Sequence, residues 1–274
     1  MFLRIYTFIL FSLLVLTGVS GVSAQEKTDQ KDKAADKKNK SANKPAAADL
    51  GKSATAEQVA EYVIIFYGGR QNINQIRKTT FERGRLNLIN ADGKSEQANY
   101  ERWILRADSL DKERIRVDQD FPNAKFALIY NGEKTFGLFN ESVFAPREDA
   151  SKSFENQIWH GLEALLRYKE NNSKLELGGR DKLMGVDFHI LDVTDKQNRK
   201  TRFYISSKTF RVMMLEYTED NIKYKRKFYD YNYAQGTLVP YRSVLWADGK
   251  QIEEIEIQTI SFGQKIEDNL FQGS

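Results

Sequence analysis

Three Asx-Gly pairs, Asp92-Gly93, Asn131-Gly132 and Asp248-Gly249, each stand between two runs of alternating apolar and polar residues. A two-residue type I′ hairpin needs positive φ at both central positions, which Asn, Asp and Gly tolerate best, so such pairs mark tight reversals between antiparallel neighbours. Phe81 to Ile89 returns through Asp92-Gly93 as Gln97 to Ala107, and Phe126 to Tyr130 returns through Asn131-Gly132 as Thr135 to Asn140. Trp103 and Leu105 share a face opposite Arg102 and Arg106, and Ile115 and Val117 alternate with Arg114, Arg116 and Asp118. Near the C-terminus Phe203 and Ile205 share a face, as do Ile255 and Ile257, with Glu254, Glu256 and Gln258 opposite. Val186, Phe188 and Ile190 take one parity and Leu191 and Val193 the other, which predicts a bulge near Ile190. The chain therefore reads as a long antiparallel meander.

Helices punctuate it. Thr55 is a suitable N-cap for a helix from Ala56 to Tyr67 that Gly68-Gly69 ends, with Val59, Val63, Phe66 and Tyr67 on one face. A second helix is predicted from about Ser153 to Tyr168, where Phe154, Ile158, Leu162, Leu165 and Leu166 fall at helical spacing beside Trp159. Inserted between two sets of strands, it can pack across the open side of a curved sheet. The stretch from Leu138 to Pro146 leaves a strand with Phe139 and Phe144 and reads as a lid loop.

The first residues constrain compartment. Arg4 precedes an apolar run from Ile5 to Val19, and Val22-Ser23-Ala24 offers small residues before Gln25, the pattern of a secretory signal over residues 1–24. Residues 25–52 hold eight lysines and five acids, no aromatic residue, and Leu50 as the one large aliphatic, so a disordered linker is expected. That surplus of three, with Arg4, equals the formal net charge of +4, so the remaining domain, residues 53–274, is close to neutral. The basic balance is thus no sign of a nucleic-acid surface. Without cysteine, disulfides, thiolate metal sites and lipidation of the chain itself are excluded.

Catalytic chemistry finds little support. The two histidines, His160 and His189, lack a nucleophile motif or metal-spaced partners, and read as structural. Asp118 with Asp120, and Glu253 with Glu254 and Glu256, read as solvated strand faces. Lys223, Lys225, Arg226 and Lys227 form a basic cluster of the kind that protects a strand edge.

Several phrases resemble the LolA/LolB-like carriers of lipoproteins and lipids. They are Tyr62…Gly68-Gly69-Arg70…Ile73…Ile76…Thr79-Thr80-Phe81…Gly84, then Arg114 to Val117 with Tyr130-Asn131-Gly132-Glu133-Lys134-Thr135-Phe136. Later come Arg202 to Val212, Tyr229-Asp230-Tyr231, Gly236 to Pro240, and the closing Ile266-Glu267-Asp268-Asn269-Leu270-Phe271. The Asp111 to Arg114 stretch lacks the Arg-Pro pair that carriers of triacylated lipoproteins often have there. The resemblance implies an α+β, mainly antiparallel domain: a curved half-barrel of about 10–11 strands with helices covering its concave face. It implies an exported, periplasmic, non-enzymatic monomer without cofactor or metal. Such a carrier would hold the acyl part of lipoproteins or lipids and move it from an inner-membrane donor to an outer-membrane acceptor.

Under that resemblance the cavity wall would comprise Trp103, Leu105, Phe126, Leu128, Phe136, Leu138, Phe203 and Ile205. The helices and lid would add Phe66, Phe139, Phe144, Ile158, Trp159, Leu162 and Leu165. A LolA-like envelope sensor is the alternative, and a secreted enzyme with an acidic site a remoter one.

Overall fold

In the computed structural model, residues 54–90, 92–183 and 185–273 are described, and the expected signal (1–24) and linker (25–52) lie outside them. The first helix, α1 (Ala56–Phe66), starts on a reciprocal cap in which Gln58 N–H donates to Thr55 Oγ1 at 3.2 Å and Thr55 N–H donates to Gln58 Oε1 at 2.9 Å. It ends at Gly68 and Gly69, whose φ of 119° and 82° suit glycine alone. A short α2 (Arg70–Gln75) leads into the sheet.

Six strands then run outward as a meander: β1 (Thr79–Ile89), β2 (Ser95–Leu105), β3 (Arg114–Phe121), β4 (Ala124–Tyr130), β5 (Thr135–Phe139) and β6 (Ser142–Phe144). Two helices, α3 (Glu148–Trp159) and α4 (Leu162–Leu166), follow. The chain re-enters the sheet at its far edge with β7 (Lys174–Leu183) and returns through β8 (Val186–Thr194), β9 (Lys200–Ser206), β10 (Val212–Glu219), β11 (Ile222–Ala234) and β12 (Thr237–Ala247) to β13 (Lys250–Phe262). Pairing of β13 with β1 joins the two meanders into one antiparallel sheet, ordered β6-β5-β4-β3-β2-β1-β13-β12-β11-β10-β9-β8-β7. Its thirteen strands exceed the ten or eleven expected, and the sheet is open, with edges at β6 and β7. Because the chain leaves at one edge and returns at the other, α3 and α4 must cross a face of the sheet, and they cross the concave one.

Turn chemistry sets these reversals. Asp248 and Gly249, at φ 46° and 80°, make the expected type I′ turn. The other two Asx-Gly pairs make longer loops in which the glycine alone of the pair has positive φ. The predicted lid loop is instead a hairpin, because Asn140 and Glu141 take φ 48° and 64° and fold β6 back onto β5. The predicted single helix breaks at Gly161, where a Cβ would stand 2.8 Å from the Gln157 carbonyl oxygen. The irregularity expected at Ile190 is a register shift on the facing strand, between Leu177 and Gly179.

Both sheet faces are covered over part of their area. On the concave side α1 and α4 bury Leu191, Phe203, Ile205 and Leu215. On the convex side the C-terminal turn lays Ile266, Leu270 and Phe271 over Trp103, Leu105, Ala127, Ile129, Phe136 and Leu138. Arg116 Nη1 donates to the Leu270 carbonyl at 3.2 Å, and Arg114 pairs with Asp268 at 3.2 Å, fixing that segment. Among the described residues no helix is long and apolar enough to cross a membrane.

Candidate functional site

Alternation along β1 to β4 places Leu86, Leu88, Tyr100, Arg102, Val117, Phe126 and Leu128 on the concave face, where α1 does not reach. Ile255 and Glu253 of β13 continue this floor. Phe154 and Gln157 of α3 roof one side, and Phe139 and Phe144 of the β5–β6 hairpin, with Pro146 just beyond it, roof the other. The result is an open groove of about 670 Å³, mostly apolar in its lining. Ligand sites commonly have roughly 300–1,000 Å³, so this groove is of binding size.

The hairpin reaches the groove because position 137 has no side chain. Gly137 lies opposite Phe144, and the Phe144 ring occupies the place of its missing Cβ. Phe139 at 47 % and Val143 at 53 % exposure leave this roof with apolar surface in water.

Behind the groove lies a second chamber of about 180 Å³, and the two share Arg102, Val117, Phe154, Gln157 and Ile255 as walls. Charged side chains enter its lining among apolar ones. Arg102 Nη2 donates to Glu82 Oε2 at 2.6 Å, and Tyr100 donates its hydroxyl to Glu82 Oε1 at 2.5 Å. Arg226 Nη2 donates to Glu253 Oε1 at 2.8 Å, while Gln157 Nε2 of α3 donates to Glu253 Oε2 at 3.0 Å. Deeper in, Arg106 bridges Glu113 at 2.7 Å and Glu163 at 3.2 Å; Arg77 also pairs with Glu163, and Arg167 with Glu113. Burial pushes the Glu163 carboxyl up, but Arg106, Arg77 and Arg167 outweigh it and hold the group below the usual range.

The structure divides the sequence-derived site residues into four groups. Phe126, Leu128, Phe139 and Phe144 line the groove, and Ile158 and Leu162 line the inner chamber. Phe203, Ile205 and Leu165 are wholly buried in the packed core, with Phe66 and Trp159 against it. Phe66 stacks on Phe210 at 5.2 Å, and Trp159 meets Tyr130 edge-on at 5.5 Å. Trp103, Leu105, Phe136 and Leu138 are a correction: they face the convex side, under the C-terminal segment.

The physical reason is that β2 turns its arginines inward, where Glu82, Glu113 and Glu163 pair with them. Glu253 is likewise buried against Arg226 rather than solvated, and Arg226 sits on an interior strand rather than a sheet edge. Leu86, Leu88, Tyr100, Arg102 and Val117 are groove residues that apolar alternation alone does not single out. Strand parity groups them once the charged side is the inner one.

The histidines lie outside the groove lining. His160 bonds Thr201 Oγ1 at 2.7 Å and Glu219 at 3.1 Å and stacks on Tyr217, whereas His189 stacks on Phe210.

No family model and no curated protein matches the chain. Solved structures do. A DUF1329 family protein from Desulfovibrio piger superposes with a TM-score of 0.58 at 12 % identity, covering 80 % of this chain and 98 % of that one. A LolA superfamily protein from Nitrosomonas europaea gives 0.53 at 11 % identity, over 80 % and 98 %. A putative outer membrane lipoprotein-sorting protein domain from Vibrio parahaemolyticus gives 0.50 at 12 % identity, over 79 % and 95 %. The fold is LolA-like.

Proposed function

We propose that this protein is an exported carrier that takes the acyl part of a lipoprotein or lipid into the groove and moves it across the cell envelope to the outer membrane. The observation that carries this reading is the groove of about 670 Å³, mostly apolar in its lining and roofed in part by an aromatic edge hairpin. Moving acyl chain from water into such a space gains roughly 0.8 kcal/mol per buried CH₂, so affinity needs no polar chemistry. The hairpin half of that roof lies at the sheet edge and can part without disturbing the core, to which α3 contributes Phe154 and Ile158. The similarity to a LolA superfamily protein and to a lipoprotein-sorting domain supports the same reading.

Native mass spectrometry of the protein purified from its own envelope is the test, with any bound lipid identified and its transfer to outer-membrane vesicles followed. A co-purifying acylated molecule passed to the vesicles is the expected result. Protein without acyl ligand, and unable to acquire one from donor membranes, would overturn the reading.

A further inference from the structure

The chamber behind the groove concentrates unsatisfied polarity. Six buried side-chain nitrogen or oxygen atoms lack a hydrogen-bond partner among the described residues: Arg77 Nε, Thr80 Oγ1, Arg102 Nε, Arg106 Nε, Glu163 Oε2 and Asn171 Nδ2. All but the Asn171 atom belong to residues that line this one chamber. Buried polar atoms are almost always paired, so such a cluster points to something that the chamber receives. Three of the five are guanidinium N–H groups, which only donate; Thr80 Oγ1 can do either, and Glu163 Oε2 only accepts, so that oxygen calls for water rather than an anion.

The formal charges agree. Arg77, Arg106 and Arg167, the last reaching Glu113 from outside the chamber lining, are linked through Glu113 and Glu163, three cations to two anions, while Arg102–Glu82 and Arg226–Glu253 are balanced pairs, Glu253 meeting Arg226 from the groove side. An anion would complete the set. Arg102 is placed to meet it first, since its side chain forms part of the wall shared with the apolar groove and retains 27 % exposure.

Resting on the acyl-binding reading above, and narrowing its cargo to small-headed lipids, we propose that the groove takes its ligand head-first: an anionic amphiphile whose carboxylate or phosphate oxygens accept from Arg102 at the inner chamber while its chain lies along the apolar part of the floor. The chamber, about 180 Å³ in volume, has room for such a head and some water. A head-first pose also dictates order of release, because the chain must leave through the hairpin side before the head can follow.

The test is displacement of a bound fluorescent acyl probe by dodecanoate, dodecyl phosphate, methyl dodecanoate and inorganic phosphate, each below its micelle threshold. The two anionic amphiphiles should act at concentrations about ten-fold lower than the ester, as expected for one charge-assisted hydrogen-bond set. Inorganic phosphate alone should not displace the probe. Arg102→Gln should remove the preference, so that acid and ester displace the probe at equal concentrations, and Arg102→Lys should keep part of it. Glu82→Gln, which removes the counter-charge of Arg102, should widen it and supplies a second variant if Arg102→Gln fails to fold.

Equal action of acid and ester on the wild-type protein would overturn the head-first site, leaving water as the chamber's occupant. A preference that survives Arg102→Gln, or displacement by phosphate alone, would overturn it too. Failure of the protein to take up any acyl compound would instead bring down the carrier reading on which it rests.

Discussion

The ring of Phe144 occupies the space that a side chain at Gly137 would need: a Cβ built there stands 2.1 Å from Phe144 Cζ and 2.3 Å from Cε1. An aromatic ring laid over a strand glycine both covers exposed backbone and fixes the neighbouring strand. Here it also folds the edge hairpin over the groove, so a missing side chain in β5 sets the position of the roof.

Gly137→Ala is therefore expected to lift the Phe144 ring without harming the fold, since the hairpin lies at a sheet edge and is free to adjust. Acyl-probe affinity should fall about ten-fold, the loss of one partly buried aromatic wall, while stability in urea changes by less than about 1 kcal/mol. Unchanged affinity would mean that the roof does not touch the ligand.

Glu113 and Glu101 predict a contrast in stability. Glu113 is fully buried between Arg106 and Arg167, whereas the Arg83–Glu101 pair, at 2.5 Å, has side chains 57 % and 36 % exposed. Glu113→Gln should cost about 3–5 kcal/mol by leaving buried guanidinium charge unpaired. Glu101→Gln should cost less than about 1 kcal/mol. Urea denaturation of both variants measures the difference, and equal small losses would mean that water reaches the inner chamber freely.

Much of this architecture is legible in the chain. The capped helix before Gly68, the alternating runs and the Asp248-Gly249 turn follow from local chemistry that tertiary contacts do not override. What parity alone cannot decide is which of two faces points inward. Trp103 and Leu105 are apolar and Arg102 and Arg106 charged, so the ordinary expectation puts the tryptophan inside. The chain inverts it, because Leu270 and Phe271, more than 150 residues away, cover the apolar side, and acids from β1, the β2–β3 connection and α4 pair with the arginines on the other. The β5–β6 hairpin was hidden for a different reason: Asn140-Glu141 turns without glycine and so lacks the usual mark.

Stability should fall on the acid side of neutrality because of the two histidines. Burial pushes the His160 imidazole below its usual 6.5, partly opposed by Glu219, with Tyr217 and Thr201 packed against the ring and Arg199 and Asp195 nearby. Burial, then Arg180, lowers His189 as well. A depressed folded-state pKa means that the unfolded chain binds the proton more readily. The contribution is thus complete above pH 6.5 and is lost as pH drops from there toward the folded-state values, by at most ~1.4 kcal/mol per pH unit for each histidine. Urea midpoints should decline between pH 7 and pH 5 in the wild type and decline less in His160→Gln. Identical profiles for the two proteins would show that His160 titrates as it would in water.

Leu162 and Leu165 lie one turn apart on α4 in different surroundings. Leu165 is 0 % exposed within the packed core, whereas Leu162 is half-buried and lines the inner chamber alongside Arg77 and Arg106. Leu165→Glu would bury a carboxylate with no partner, costing several kcal/mol, and should leave the protein largely unfolded by circular dichroism. Leu162→Glu places the carboxylate where guanidiniums and water can solvate it, so the fold should survive. It also neutralises the positive surplus that would attract an anionic head and adds charge to the chamber wall, so uptake of an acyl probe with a carboxylate head should fall at least ten-fold. A folded Leu162→Glu protein with wild-type uptake would separate the chamber from the binding site. If both variants unfold alike, α4 is core along its whole length and only the outer groove remains for ligand.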